Sequence, residues 1–196
     1  VWGFWLLNLL RNLLYSTETF YHALFFGTVI AFLRNRFLVG TVLVFVTWWA
    51  HPFTGVELGA IVWTWLAVET GLHYRRKKTF GPWGPRLAAI TIVNLLFLLY
   101  YGPITGSMTE HRSLVEIWKG SEVVSRSTAP LWHLFVSYGP LLFGIAWPLS
   151  RPGRRALRTK ASHRLLLVWG GVVLLLMHHD KIPGVGSPTQ PLHFSR

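Results

Sequence analysis

The sequence predicts an all-α protein: a polytopic transmembrane helix bundle of about six spans, with a short helical hairpin turning between His51 and Gly55. Three observations carry that prediction. The chain is 52% hydrophobic and only 13% charged, with 11 Trp among 196 residues and a mean hydropathy of +0.40. Ordinary globular chains carry about 25% charged residues. The apolar residues gather in runs near the length of a membrane span. The basic residues fall in short clusters at the ends of those runs. A net charge of +12 raises nucleic acid as a partner. The clustering excludes it, because the cations flank apolar runs instead of lining one face.

A helix rises about 1.5 Å per residue, so a hydrocarbon core of about 30 Å takes roughly 20 residues. Residues 1–15 read as the end of a span, with an interfacial helix as the alternative. Arg11 is costly at mid-bilayer and tolerated near an interface. Residues 19–33 form the next apolar run, which stops at Arg34 and Arg36. Residues 37–50 and 56–72 follow, separated by His51 and Pro52. As one helix, residues 38–72 would measure roughly 52 Å, well beyond the bilayer core. Pro52 removes a backbone donor and pushes His51 out of the helical region, and Gly55 adds a second breaker. The stretch therefore reads as two short arms with Trp48, Trp49 and Phe53 in an interfacial aromatic belt. Such short arms need tilt or local bilayer thinning.

Residues 87–101 make a further span. A polar loop covers 102–130, with an amphipathic centre at Leu114, Val115, Ile117 and Trp118. Residues 131–149 span again, loosened at Tyr138, Gly139 and Pro140. A basic loop covers 151–164. The last span is 165–177, where Gly170 and Gly171 permit close packing. Residues 178–196 read as an outer loop leading to a missing span. The chain begins at Val1 without a basic n-region or cleavage site, so no signal peptide is visible. It reads as one transmembrane domain, a fragment of a longer polytopic protein.

The positive-inside rule sets the orientation. With the hairpin tip outside, the inner segments are Arg34 to Arg36, Arg75 to Arg86 (with the run Arg75 to Lys78) and Arg151 to Arg164. They hold thirteen of the 19 Lys and Arg. The expected location is a bacterial inner membrane, crossed several times, with those segments cytoplasmic. Six of the 7 acidic residues fall at the outer side, and only Glu69 falls inward. Seven of the 9 His are also outer. Outer loops that are simply not basic would show the same bias as a functional surface.

The outer residues supply the candidate chemistry. Glu110, His111 and Arg112 put an acid, a possible base and a fixed cation side by side. An arginine holds phosphate in two-pronged fashion, and a carboxylate serves as base or metal ligand; a solvated loop is the plainer reading. His51 is a helix-end cap or a donor to an anionic substrate. Thr54 and Glu57 match the capping-box spacing. His178, His179 and Asp180 are metal ligands by type, but adjacent side chains rarely converge on one ion, and no metal-binding spacing occurs. No cysteine is present, which excludes thiolate metal sites and disulfides. No nucleotide-binding or hydrolase motif occurs, and nothing specifies a cofactor.

The segment "HPFTG" between two short apolar helices resembles the turns of GT-C glycosyltransferases, a superfamily of multi-span membrane proteins. "LLLVWGGVVLLLM" (165–177) and "SPTQPLHFSR" (187–196) resemble late segments of the same kind of protein. The resemblance implies a transferase that takes sugar from a lipid-phosphate donor, such as a polyprenyl-phosphate sugar, on the extracytoplasmic side. Such enzymes place an essential acid in a large outer loop near their N-terminus. No such loop lies near Val1, so the resemblance implies that this acid lies upstream of the given residues, and no catalytic residue carries over. Glu110 is the best acidic candidate present, with His51, Glu57, His111 and Arg112 as substrate binders. The alternatives are a membrane transporter subunit, which needs ionisable groups along a mid-membrane path, and a non-catalytic scaffold or assembly protein.

Overall fold

A computed structural model describes residues 16–104, 147 and 150–177 of the chain. These residues are all-helical, with no strand among them. The elements are α1 (Ser16–Leu33), α2 (Phe37–Ala50), α3 (Pro52–Lys77), α4 (Trp83–Leu99), a π turn (Tyr100–Ile104), α5 (Arg151–Thr159) and α6 (Ala161–Met177).

Each boundary has a local chemical cause. α1 stops because Asn35 takes a left-handed conformation (φ 57°), which asparagine tolerates. The amides of Asn35 and Arg36 then bond back to the carbonyls of Phe32 and Ala31 at 3.0 and 2.8 Å, the pairing of a Schellman stop. α2 ends at His51, whose extended backbone (φ −153°) also begins α3. Pro52 holds the first position of α3, where a missing amide costs nothing. α3 ends on Lys78, again left-handed, with its amide on Tyr74 O at 2.8 Å. The chain turns through Gly81 (φ 53°), where a side chain would strike the His73 ring. Ser150 caps α5, its hydroxyl accepting from the Gly153 amide at 3.1 Å.

Three sequence expectations change here. The hairpin break is a single residue, His51; Gly55 lies inside α3. Thr54 is not the cap of a box with Glu57. It sits in the first turn of α3, because proline at the first position moves the cap back to His51. The basic loop 151–164 is largely helix. Only Lys160 interrupts it, between α5 and α6, which meet at 106°. The segment 1–15, the span 131–149 apart from Trp147, and both outer loops apart from the start of the first, lie outside the described residues.

α1 to α4 run back and forth, and α6 packs on α3. One end of the packed helices holds the α1–α2 turn, the α3–α4 turn and α5. Phe37 meets Trp83 there in an edge contact at 6.0 Å, and Arg76 reaches the carbonyl of Arg158. The opposite end holds His51 and the π turn, where Tyr101 reaches the Trp48 carbonyl. The core is Val44, Trp48, Leu58, Ile61, Trp65 and Leu66, with Phe32 from α1 and Leu165 from α6.

Trp48 is the close-packing point of the hairpin. A Cβ at Gly55 would lie 2.6 Å from the Trp48 Cα, and one at Gly59 would meet the Trp48 indole nitrogen at 2.9 Å. Gly55 and Gly59 are one helical turn apart, so α3 presents a bare strip to the indole. Trp48 Nε1 donates to Asn94 Oδ1 at 3.0 Å, and Asn94 Nδ2 donates to Gly59 O at 3.2 Å. One indole and one amide thereby join α2, α3 and α4.

Polarity is distributed unusually. Large apolar side chains point outward on four helices: Phe20, Leu38 (79% exposed), Trp49 (68%), Ile92, Leu166 and Leu175. Thr28, Thr47, Glu69 and Thr70 are buried. Single exposed apolar residues are ordinary, but extensive apolar surface with polar groups inside is informative. Among the described residues no single helix is long and apolar enough to cross a membrane, and α5 with α6 passes that test only as a bent pair. α3 has 26 residues, but its composition includes Glu57, Glu69 and a basic last turn.

Gly55→Ala is expected to cost about 1–3 kcal/mol, because backbone rather than a flexible side-chain tip blocks the new methyl. Gly71→Ala, where nothing lies within 4 Å, is expected to leave stability unchanged or raise it. Thermal unfolding of the purified variants checks both, and equal midpoints would contradict the close packing.

Candidate functional site

Two polar centres stand at opposite ends of the described bundle. At the basic end, Glu69 of α3 is paired with Arg164 of α6. Arg164 Nε lies 2.5 Å from Glu69 Oε1 and Nη2 lies 2.7 Å from Oε2, a two-pronged contact between residues 95 positions apart. The remaining nitrogen, Nη1, donates to Leu157 O at 2.6 Å. The two side chains are 5% and 14% exposed. One turn earlier on α3, Trp65 Nε1 donates to Ala161 O at 3.1 Å. The start of α6 is therefore held to α3 by three side-chain donors in two registers.

Arg86 completes this end. Its guanidinium carbon lies 3.1 Å from the Phe37 ring centroid and 5.3 Å from that of Trp83, a cation–π arrangement. Beyond it the surface is cationic and exposed: Arg34, Arg36, the run from Arg75 to Lys78, and most of α5. An open apolar groove of about 550 Å³ lies between α3 and α4, lined by Thr70, Phe80, Leu87, Thr91 and Ile92 among others. Its polar lining is limited to threonine hydroxyls, which gives it no acid or base.

At the opposite end, His51 joins α2 and α3. Its Nδ1 accepts from the Thr54 amide at 3.3 Å and lies 2.8 Å from the Thr54 hydroxyl. With Nδ1 accepting, the ring proton sits on Nε2. The ring stacks on Tyr21 at 4.4 Å and meets Phe53 at 5.9 Å. His51 is thus the N-terminal cap of α3, not a residue that caps the free carbonyls of α2 ahead of a capping Thr54. Glu57 lies half-buried in the second turn of α3, on the same end.

The other predicted residues, Glu110, His111, Arg112, His178, His179 and Asp180, lie outside the described residues. The bundle therefore brings His51 and Glu57 to one end and is silent on the rest. Among the described residues no group of three or more His, Cys, Asp or Glu is placed to hold a metal ion.

Two centres were missed from sequence. Glu69 is the lone acid at the basic end, and that isolation was the available signal for a buried partner. The spacing of Gly55 and Gly59 signalled close packing. Nothing local signals Asn94, whose partners come from two other helices.

No family model, curated protein or solved structure matches the chain. The likeness to GT-C glycosyltransferases therefore stands on its own short segments. Of these, 165–177 falls within α6, and 187–196 lies outside the described residues.

Glu69→Leu or Arg164→Met is expected to cost about 3–5 kcal/mol, since each strands a buried partner. The double replacement Glu69→Leu/Arg164→Met is expected to cost less than either single change. Unfolding measurements on the three variants check this, and additive losses would contradict a coupled pair.

Proposed function

We propose that this chain is an integral, multi-pass membrane protein whose basic end faces the cytoplasm of a bacterial cell. The polarity pattern carries the reading. Lipid makes outward Leu38, Trp49, Ile92 and Leu166 favourable, and it makes the inward placement of Glu69 and Arg164 necessary, because an ionised group facing hydrocarbon is costly. The segregation of cations to one end supports the orientation. The shortness of the apolar helices is accommodated by local bilayer thinning and by snorkelling of flanking residues, and α5 with α6 forms a bent entry into the bilayer.

The absence of cysteine makes labelling direct. Thr79→Cys, at the basic end, is expected to react with an impermeant maleimide only after permeabilisation. Pro103→Cys, at the opposite end, is expected to react in intact cells. The reverse pattern would overturn the orientation, and release of the wild-type chain by alkaline carbonate would overturn membrane integration.

The catalytic reading that fits this placement is transfer of sugar from a lipid-phosphate donor at the non-basic end. Support comes from His51 and Glu57 at that end, from the outer Glu110, His111 and Arg112, and from the resemblance of "HPFTG". The reaction uses a carboxylate as general base on an acceptor hydroxyl and displaces the lipid phosphate. Transfer from a polyprenyl-phosphate sugar is expected from the reconstituted chain and is expected to be lost in Glu110→Ala; activity retained by that variant removes Glu110 as the base. One observation favours the scaffold reading instead: Glu69, Arg164 and Asn94 are all engaged within the fold. The Glu69–Arg164 pairing also counts against a transport path through Glu69.

A further inference from the structure

α5 is a short helix with an uncompensated cationic face. Arg151, Arg154, Arg155 and Arg158 recur at spacings of three and four, which places them on one side of a helix. All four are exposed, while Gly153 is buried and Ala156 and Leu157 are half-buried on the other side. Like charges at these spacings repel and destabilise an isolated helix. The only carboxylate described at this end, Glu69, is already committed to Arg164. The helix is nonetheless held in place from both sides. Ser150 caps its start, Arg164 donates to the Leu157 carbonyl, and Arg76 of α3 donates to the Arg158 carbonyl at 3.4 Å.

The direction of α5 is as informative as its charge. It meets α6 at 106°, so when α6 lies near the membrane normal, α5 lies near the membrane plane. Its C-terminal end then sits level with the last turn of α3, where Arg75, Arg76, Lys77 and Lys78 are exposed.

We propose that the arginine face of α5, with the adjoining basic end of α3, is a binding surface for the phosphate headgroups of anionic phospholipids in the cytoplasmic leaflet. Guanidinium groups take phosphate oxygens in two-pronged fashion. A row of four in the membrane plane meets a two-dimensional array of phosphates, which also relieves the repulsion within α5. Lying near the membrane plane at the basic end keeps all four guanidinium groups within reach of headgroup phosphates, which favours lipid over RNA. The inference rests on the membrane reading above.

The test uses the full chain purified in neutral detergent, with bound lipids counted by native mass spectrometry. The wild type is expected to retain phosphatidylglycerol over phosphatidylcholine by about tenfold or more, given the attraction of each basic residue to an anionic surface. The variant Arg151→Gln/Arg154→Gln/Arg155→Gln/Arg158→Gln is expected to lose that preference, while Arg34→Gln/Arg36→Gln keeps most of it. Raising salt is expected to abolish the preference in the wild type, a readout that holds even if the quadruple variant misfolds. Equal retention of the two lipids by the wild type overturns the proposal. So does undiminished preference in a folded quadruple variant, displacement of the lipid by inorganic phosphate at equal concentration, or tighter binding of an RNA oligonucleotide than of phosphatidylglycerol. These results leave membrane integration standing, whereas carbonate release of the wild type removes both.

Discussion

The pairing of Glu69 with Arg164 connects parts of the chain that local chemistry leaves independent. A carboxylate inside an apolar bundle is tolerated when paired and hydrogen-bonded, and strongly unfavourable when it is not. Arg164 supplies both prongs and uses its remaining nitrogen on the Leu157 carbonyl. One side chain therefore sets the register of α6 on α3 and holds the end of α5 beneath them. The placement of the α5 arginines follows from that contact. The ion pair is better understood as a specifier of arrangement than as a large net source of stability, because desolvation offsets much of its attraction.

The other half of the hairpin is organised by shape. Trp48 lies over the strip left bare by Gly55 and Gly59, and its indole stacks in parallel on Phe97 at 5.5 Å. Asn94 then bridges the indole and the Gly59 carbonyl. A carbonyl inside a helix already accepts one bond, and its second lone pair is free for such a bridge. The amide satisfies both of its ends within the bundle, so a partly buried polar group sits beside the Trp48 ring with its oxygen and nitrogen both bonded. His51 performs a similar service at the turn, where its ring caps α3 and stacks on α1 through Tyr21.

These two centres act in different ways. Interdigitated aromatics and glycines fix how closely α2, α3 and α4 approach. The ion pair fixes where α6 begins. Between them, the outer surface carries exposed apolar side chains such as Leu38, Trp49, Ile92 and Leu166, which the proposed lipid surroundings would favour. Residue choice at those positions is therefore expected to be permissive for hydrophobicity and restrictive for charge. The basic end has the opposite character, with exposed cations and aromatic supports such as Phe37 beneath Arg86.

Much of the helical content was legible in the sequence, because it depends on runs and punctuation. The run at 37–50 matched α2, and Pro52 marked the break after it, although α3 begins at Pro52 itself and not at 56 as the sequence suggests. The segment 151–164 was misread as loop because four arginines on one helical face look like flanking charge until something beyond the chain segment holds them. The candidate site was legible only in part. His51 could be recognised as a helix-end residue, but its ring partners come from α1 and from the next turn. Glu69 could be seen to be isolated, yet its partner lies 95 residues away, a separation across which no local pattern operates. By itself the sequence determined where the apolar runs lie and where the cations cluster, since those depend on neighbours in the chain. Tertiary structure alone decided which helix faces meet, because burial, close approach at glycine and ion pairing depend on groups that only folding brings together.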